Sequence, residues 1–124
     1  MLGADISSQN WPLCGEIDIM ENIGSEPAIN HGSLHMPAAG TTNDSQLTGQ
    51  YTLPGGAKLG DGFHTYAVEW SASTIAFYVD DNLYETQTPP RKVPGVAELE
   101  HDLSANHEGR LGARLRAGPR RLSG

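Results

Sequence analysis

The chain of 124 residues is poor in cysteine, in basic residues and in aromatic residues, and each shortage narrows the class of protein. Its single cysteine, Cys14, excludes an internal disulfide and says little about the compartment. Lys and Arg number 8 against 15 Asp and Glu, and the resulting net charge of −7 argues against nucleic acid as a partner. A chain of this length forms one domain at most.

Long apolar runs are also missing from the sequence. No stretch is long and apolar enough to span a membrane, so we predict no membrane partner. Residues 1–5 have neither a basic start nor a long apolar region and are not a signal peptide. Aromatic residues make up 6% of the chain, which is modest for an all-β core, whereas 15 Gly and 8 Pro are typical of strands joined by turns.

The most informative feature is a run of three carboxylates. Glu16, Asp18 and Glu21 alternate with two isoleucines and a methionine, as in a buried strand. Buried strands rarely carry unpaired acids, because removing a carboxylate from water is costly. Glycosidases cleave sugar linkages with a pair of carboxylates, so the run favours that chemistry. An amphipathic strand with a solvated acidic face is the alternative interpretation.

The spacing of the three acids predicts a β-bulge. Side chains on a strand alternate between faces, so Glu16 and Asp18 share a face and Glu21 would point to the other one. One extra residue, Ile19 or Met20, restores the parity and brings all three acids to one face. Long Glu side chains on a concave sheet could then converge to about 5–5.5 Å, the separation used in retaining hydrolysis. The shorter Asp18 suits a role in orienting a neighbour.

The run resembles the signature of glycoside hydrolase family 16, Glu-x-Asp-x-(x)-Glu. Its extra residue resembles the form found in laminarinase-type endo-β-1,3-glucanases. Further segments resemble the same family in the same order along the chain: residues 10–12, 14–15, 32–35, 61–70 and 75–80. The resemblance implies a partial catalytic domain over residues 1–92.

The resemblance also implies roles for the three acids. Glu16 would be the nucleophile that forms a covalent glycosyl-enzyme, Glu21 the general acid and then base, and Asp18 an assisting residue. Two close carboxylates cannot both ionise easily, so the pKa of one member of the group should rise.

The implied function is retaining endo-hydrolysis of β-1,3-linked glucan, with a β-glucan polysaccharide as partner. Mixed-linkage glucans and β-linked galactans stay open as substrates, because loops around the cleft decide the choice. A non-catalytic β-glucan-binding module and an inactive fragment are the alternatives from other classes. Retention of all three acids argues against the binding module.

Two further residues are predicted to bind substrate. His35, on a strand predicted over residues 30–36, resembles a family histidine that faces the sugar; a strand histidine bonded to a neighbour is the alternative. Trp11 could stack on a sugar ring or cap the core. No cofactor and no metal is predicted, although the three acids and His35 could together suit a hard cation. Some relatives hold a calcium ion through segments not identifiable in this sequence.

The implied fold is all-β, part of a two-sheet jelly-roll sandwich of concanavalin A-like type with a concave sugar-binding face. We predict the catalytic strand over residues 13–23, a polar loop over residues 37–50, and paired strands over residues 63–70 and 74–80. A monomer is expected. The family is usually secreted, so an extracellular location is expected, with Met1 interpreted as an internal methionine of a longer protein.

Residues 93–124 depart from the family. Residues 1–96 hold 11 acids and 3 bases, net −8, whereas residues 97–124 hold 4 acids and 5 bases, net +1. Apolar residues between positions 96 and 103 have helical spacing, but glycines interrupt any continuation. We interpret this segment as an atypical basic tail that is disordered, partly helical, or the product of a shifted reading frame.

Overall fold

The computed structural model describes residues 1–71 and 73–88, together with the backbone of residues 109–115. These residues form seven strands: β1 (Glu16–Glu21), β2 (Ile29–Pro37), β3 (Asp44–Thr52), β4 (His64–Trp70), β5 (Ile75–Val79), β6 (Asn82–Gln87) and β7 (Gly109–Leu115). Two short 3₁₀ turns, Pro54–Gly56 and Leu59–Asp61, separate β3 from β4. Within the described ranges, no helix has the length and apolar character needed to cross a membrane.

The strands form two antiparallel sheets, which confirms the predicted all-β class. One sheet has the order β1-β2-β3 and the other the order β6-β5-β4-β7. Apolar residues on alternate positions give each sheet one apolar face, and the two faces pack together. The main core cluster draws on both sheets: Ile17, Leu34 and Met36 from the first, and Val68, Ile75 and Phe77 from the second.

The polar loop predicted over residues 37–50 is wrong in its second half, where β3 begins at Asp44. Along β3 the even-numbered residues are exposed and alternate with partly buried ones, including Leu47 and Tyr51. The inward positions also include Ser45 and Gly49, so the sequence shows too few apolar residues to reveal the alternation. The other predicted strands correspond to β1, β2, β4 and β5.

The tail contains a strand that the sequence analysis did not predict. The backbone of Gly109–Leu115 pairs with β4 along its whole length. Pairing satisfies backbone donors and acceptors on the edge of β4, which explains why a glycine-rich segment can extend there. Residues 96–103, whose apolar residues have helical spacing, lie outside the described residues. The reading-frame hypothesis stays a prediction.

The turn between β5 and β6 has left-handed geometry. Asp80 and Asp81 have φ values of 49° and 63°, which suit a two-residue hairpin turn. The Asp80 carboxylate accepts the Thr65 backbone N–H at 2.9 Å and lies 2.6 Å from Nδ1 of His64. These contacts tie the turn to the start of β4.

Candidate active site

Strand β1 contains the predicted bulge. Asp18 lies opposite Ser33 on β2, and Glu21 lies opposite His31. Three steps along β1 therefore match two steps along β2, which leaves one extra residue between Asp18 and Glu21. An extra residue at this point restores the parity, so Glu16, Asp18 and Glu21 belong to one face of the strand.

Asn30 satisfies the backbone groups that the bulge removes from the ladder. Its side chain is fully buried. Oδ1 accepts the Glu21 backbone N–H at 3.2 Å, and Nδ2 donates to the carbonyl of Ile19 at 3.3 Å. The carboxamide thus stabilises the bulge. Asn30 was not predicted as a site residue, although an Asn two residues before Gly32 on the apolar face of β2 was a usable signal.

A chain of polar contacts connects four side chains on the cleft face. Carboxylate oxygens of Glu16 and Asp18 lie within 4.8 Å of each other, and a hydrogen bond between the two groups contributes to the raised pKa of Asp18. Nε2 of His35 lies 3.2 Å from Oδ2 of Asp18, and Nδ1 of His35 lies 2.9 Å from Oδ2 of Asp44. We call Glu16, Asp18, His35 and Asp44 the acid cluster. Asp18 therefore makes the orienting contact that its short side chain suggested.

Trp11 lies against this cluster and not in the core. Its indole Nε1 donates to Oε2 of Glu16 at 2.7 Å, and its ring centroid is 5.7 Å from that of His35. The residue is 46% exposed, which excludes the core-cap interpretation. Both predicted substrate-binding residues thus lie beside the carboxylates, and their roles in binding stay predictions.

The surroundings of the acid cluster raise the pKa values of two of its members, Asp18 and His35. Burial raises the pKa of Asp18 to about 6, with the hydrogen bond and charge of Glu16 and the charge of Glu21 adding to the rise and His35 opposing it. For His35, burial acts to lower the pKa, but the hydrogen bond and charge of Asp44 and the charges of Asp18 and Glu16 outweigh it, so the pKa is raised. The expected rise of one carboxyl pKa therefore falls on Asp18.

Oxygen and nitrogen atoms of Glu16, Asp18 and His35 lie within 4.8 Å of one another. A hard cation would bind here, if anywhere in the described residues, because carboxylate oxygens are its preferred partners. The same contacts are also explained by hydrogen bonds within the cluster, and the absence of a metal stays a prediction.

Cys14 is fully buried, so it packs inside the protein. Asp44 was missed, because it lies in the segment interpreted as a loop and its contact with His35 depends on the register of β2 against β3. Glu21 reaches the cluster through its charge on Asp18 and is itself exposed.

Two packed antiparallel sheets with three acids on one face of a bulged strand form a β-sandwich that carries the type of carboxylate group found in glycosidases. Residues 4–98 match the sequence profile of the family described as Glycosyl hydrolases family 16. The chain belongs to this family, which confirms the resemblance seen in the sequence.

Curated and solved relatives agree with this assignment. A β-glucanase from Rhodothermus marinus is 40% identical over 94 residues, which are 76% of this chain and 32% of that protein. A keratan-sulfate endo-1,4-β-galactosidase from Sphingobacterium multivorum is 32% identical over 80 residues, 61% of this chain and 17% of that protein. The crystal structure of the laminarinase catalytic domain from Thermotoga maritima matches with a TM-score of 0.59 at 29% identity, over 94% of this chain and 45% of that one. The chain thus spans about a third of the length of the first of these relatives.

Proposed function

We propose that the chain carries the catalytic strand of a retaining endo-hydrolase of β-1,3-linked glucan. The observation that carries the proposal is the bulge in β1, because it gives Glu16, Asp18 and Glu21 a common face. Neighbouring carboxylates on one face are the group that retaining glycosidases use. The hydrogen bond between Asp18 and Glu16 adds support, since it fixes the group assigned as nucleophile.

In the proposed reaction, the Glu16 carboxylate attacks the anomeric carbon while Glu21 protonates the departing glycosidic oxygen. The bond between the anomeric carbon and that oxygen breaks, and a covalent glycosyl-enzyme forms. Glu21, now ionised, takes a proton from the water that attacks the same carbon and releases Glu16. Asp18 holds Glu16 throughout, and the exposed ring of Trp11 can stack on a sugar beside it.

The choice of β-1,3-glucan rests on relatives named as a β-glucanase and a laminarinase. A β-linked galactan is the second candidate substrate, because a keratan-sulfate endo-β-galactosidase is also similar to this chain. The hydroxyl and amide side chains along β3 can donate to and accept from the hydroxyls of either sugar.

Substrate choice and stereochemistry can be measured together. The chain is incubated with laminarin, mixed-linkage β-glucan and keratan sulfate, and new reducing ends and product lengths are followed. We expect internal cuts in laminarin, with the β-anomer of the new reducing end appearing first in proton NMR. Release from keratan sulfate alone would move the substrate to a galactan, and an α-anomer appearing first would contradict retention.

A non-catalytic β-glucan-binding module is the competing function. It predicts that the chain binds laminarin and releases no reducing ends. An inactive fragment predicts neither binding nor a cooperative thermal melt. A cooperative melt together with laminarin hydrolysis would exclude both alternatives.

A further inference from the structure

Asp44 is the first residue of β3 and lies on the face that carries the acid cluster. In the β2–β3 ladder, His35 is opposite Gln46 and Pro37 is opposite Asp44. Asp44 is therefore the diagonal neighbour of His35, at a distance that a carboxylate and an imidazole can bridge. Its side chain is 28% exposed, so this end of the cluster is partly screened from solvent.

The hairpin before β3 holds Asp44 in place. The Ala38 N–H donates to the carbonyl of Asn43 at 2.8 Å, and the Thr41 hydroxyl donates to the carbonyl of Ala38 at 3.0 Å. The Asn43 N–H donates to the same Thr41 hydroxyl at 3.1 Å. Gly40 takes the left-handed conformation, with φ of 73°, that the tight connection requires. These bonds fix the backbone that presents the Asp44 carboxylate.

The contact with Asp44 determines which ring nitrogen of His35 must carry a proton. An ionised carboxylate can only accept, so Nδ1 must carry the proton in the 2.9 Å contact with Asp44. Nε2 then points at Asp18, 3.2 Å away. The hydrogen bond at one nitrogen of a histidine decides what the other nitrogen can do. Asp44 therefore acts on Asp18 through the ring, while Asp18 in turn bonds Glu16.

We propose that Asp44 is a positioning residue for hydrolysis: by holding Nδ1 of His35, it keeps Nε2 against Asp18 and so fixes the carboxyl that supports Glu16. The effect on turnover rests on the proposed function, whereas the proton on Nδ1 does not. The pair of His64 and Asp80 makes the same type of contact, at 2.6 Å between Nδ1 and Oδ2, in the other sheet. It therefore offers a matched control.

The experiment compares Asp44→Asn with Asp80→Asn in the full chain. Nitrogen NMR of histidine-labelled protein reports which ring nitrogen carries the proton, and the His35 signals are identified by their loss in His35→Gln. For Asp44→Asn we expect the proton distribution over the two His35 nitrogens to change. The kcat on laminarin should fall at least about tenfold, with KM changed by less than about twofold, because a misplaced group impairs the chemical step more than binding. Asp80→Asn should leave the His35 signals and kcat unchanged.

A double mutant tests whether Asp44 acts through His35. In the His35→Gln background, Asp44→Asn should have no further effect on kcat. A full additional loss in that background, or wild-type kcat in Asp44→Asn alone, would overturn the inference. If the unsubstituted chain does not cleave laminarin, the proposed function fails, and unchanged His35 signals in Asp44→Asn would then overturn the inference separately.

Discussion

Strands β1 and β6 lie in different sheets, and each contains one extra residue relative to its partner strand. In β1 the extra residue keeps Glu21 on the face of Glu16 and Asp18. In β6 the extra residue is Tyr84, and both Tyr84 and Glu85 lie toward the first sheet. One bulge thus gathers carboxylates on an accessible face, whereas the other buries a carboxylate between the sheets.

The surroundings of Glu85 explain the difference. Gly32 and Gly49 are partners in the β2–β3 ladder. A Cβ at Gly49 would lie 2.6 Å from Cδ of Glu85, and a Cβ at Gly32 would lie 2.3 Å from the hydroxyl of Tyr84. The two glycines therefore make room for both side chains of the β6 bulge. Glu85 is 8% exposed, and it accepts a hydrogen bond from the side chain of Gln87.

Both bulges contain an acid with a raised pKa. Burial raises the pKa of Glu85, although hydrogen bonds from Gln87 and from the Gly49 backbone oppose the rise. Asp18 differs because other acids and His35 lie beside it on an accessible face. A raised carboxyl pKa therefore does not identify an active site unless partners and access accompany it.

Asn30 connects the two bulges. Besides its bonds to the backbone of β1, its Nδ2 lies 3.1 Å from the hydroxyl of Tyr84. One buried carboxamide therefore contacts the irregular segment of each strand, and the two irregularities are packed against each other across the sandwich.

Removing the accessible carboxylate of Glu16 should have the largest effect. Glu16→Gln should lower hydrolysis of laminarin by about 10³-fold or more, in the range that single catalytic groups contribute, while sugar binding survives. Turnover is measured by reducing-end release and binding by calorimetry. Glu85→Gln is the matched control at the other bulge, and it should retain turnover. Unchanged turnover in Glu16→Gln would refute its assignment as nucleophile.

Changing the parity of β1 should have the next largest effect. Inserting an alanine between Met20 and Glu21 would turn the Glu21 side chain to the other face, since side chains alternate with period 2. We expect at least about a 10²-fold loss of hydrolysis, the contribution of a general acid. Deleting Met20 instead leaves Glu21 on the cleft face of a regular strand, so this variant should keep more activity than the insertion. Higher activity in the insertion variant than in the deletion variant would show that the parity of β1 does not place Glu21.

Removing the residue shared by both bulges should affect stability more than chemistry. Asn30→Ala leaves the Glu21 N–H and the Ile19 carbonyl without their partner, and we expect a loss of about 1–3 kcal/mol in the free energy of unfolding. Urea denaturation measures it. Asn22→Ala, which removes a carboxamide from the segment after β1, serves as a control and should cost less, because Asn22 is only partly buried and water can replace more of its bonds.

The smallest effect is expected from neutralising the buried acid of β6. Because the folded-state pKa of Glu85 is raised above 4.5, its ionisation destabilises the fold as pH rises through and beyond that value. Glu85→Gln should therefore match the unsubstituted chain below about pH 4 and be more stable at pH 8. Thermal melts across pH give the difference. A Glu85→Gln chain that is less stable at pH 8 would show that the ionised carboxylate is favoured there.

Predictability from sequence differed between strands of the same sheet, β1 and β3. The bulge in β1 was predictable because three acids with spacings of two and three residues cannot share a face of a regular strand. Strand β3 was missed because its inward positions include Ser45 and Gly49, and the small size of Gly49 is explained only by the packing of Glu85 from the other sheet. The contact of Asp44 with His35 was missed because it depends on the pairing register of β3 with β2.

The sequence by itself determined the local features: the acids of β1 and the extra residue between Asp18 and Glu21. These follow from the two-residue period of strands. The tertiary structure alone decided which acid is buried, which side chains surround Asp18, and where the tail strand pairs. These depend on contacts between residues far apart in the chain, and pairing register and sheet packing set them.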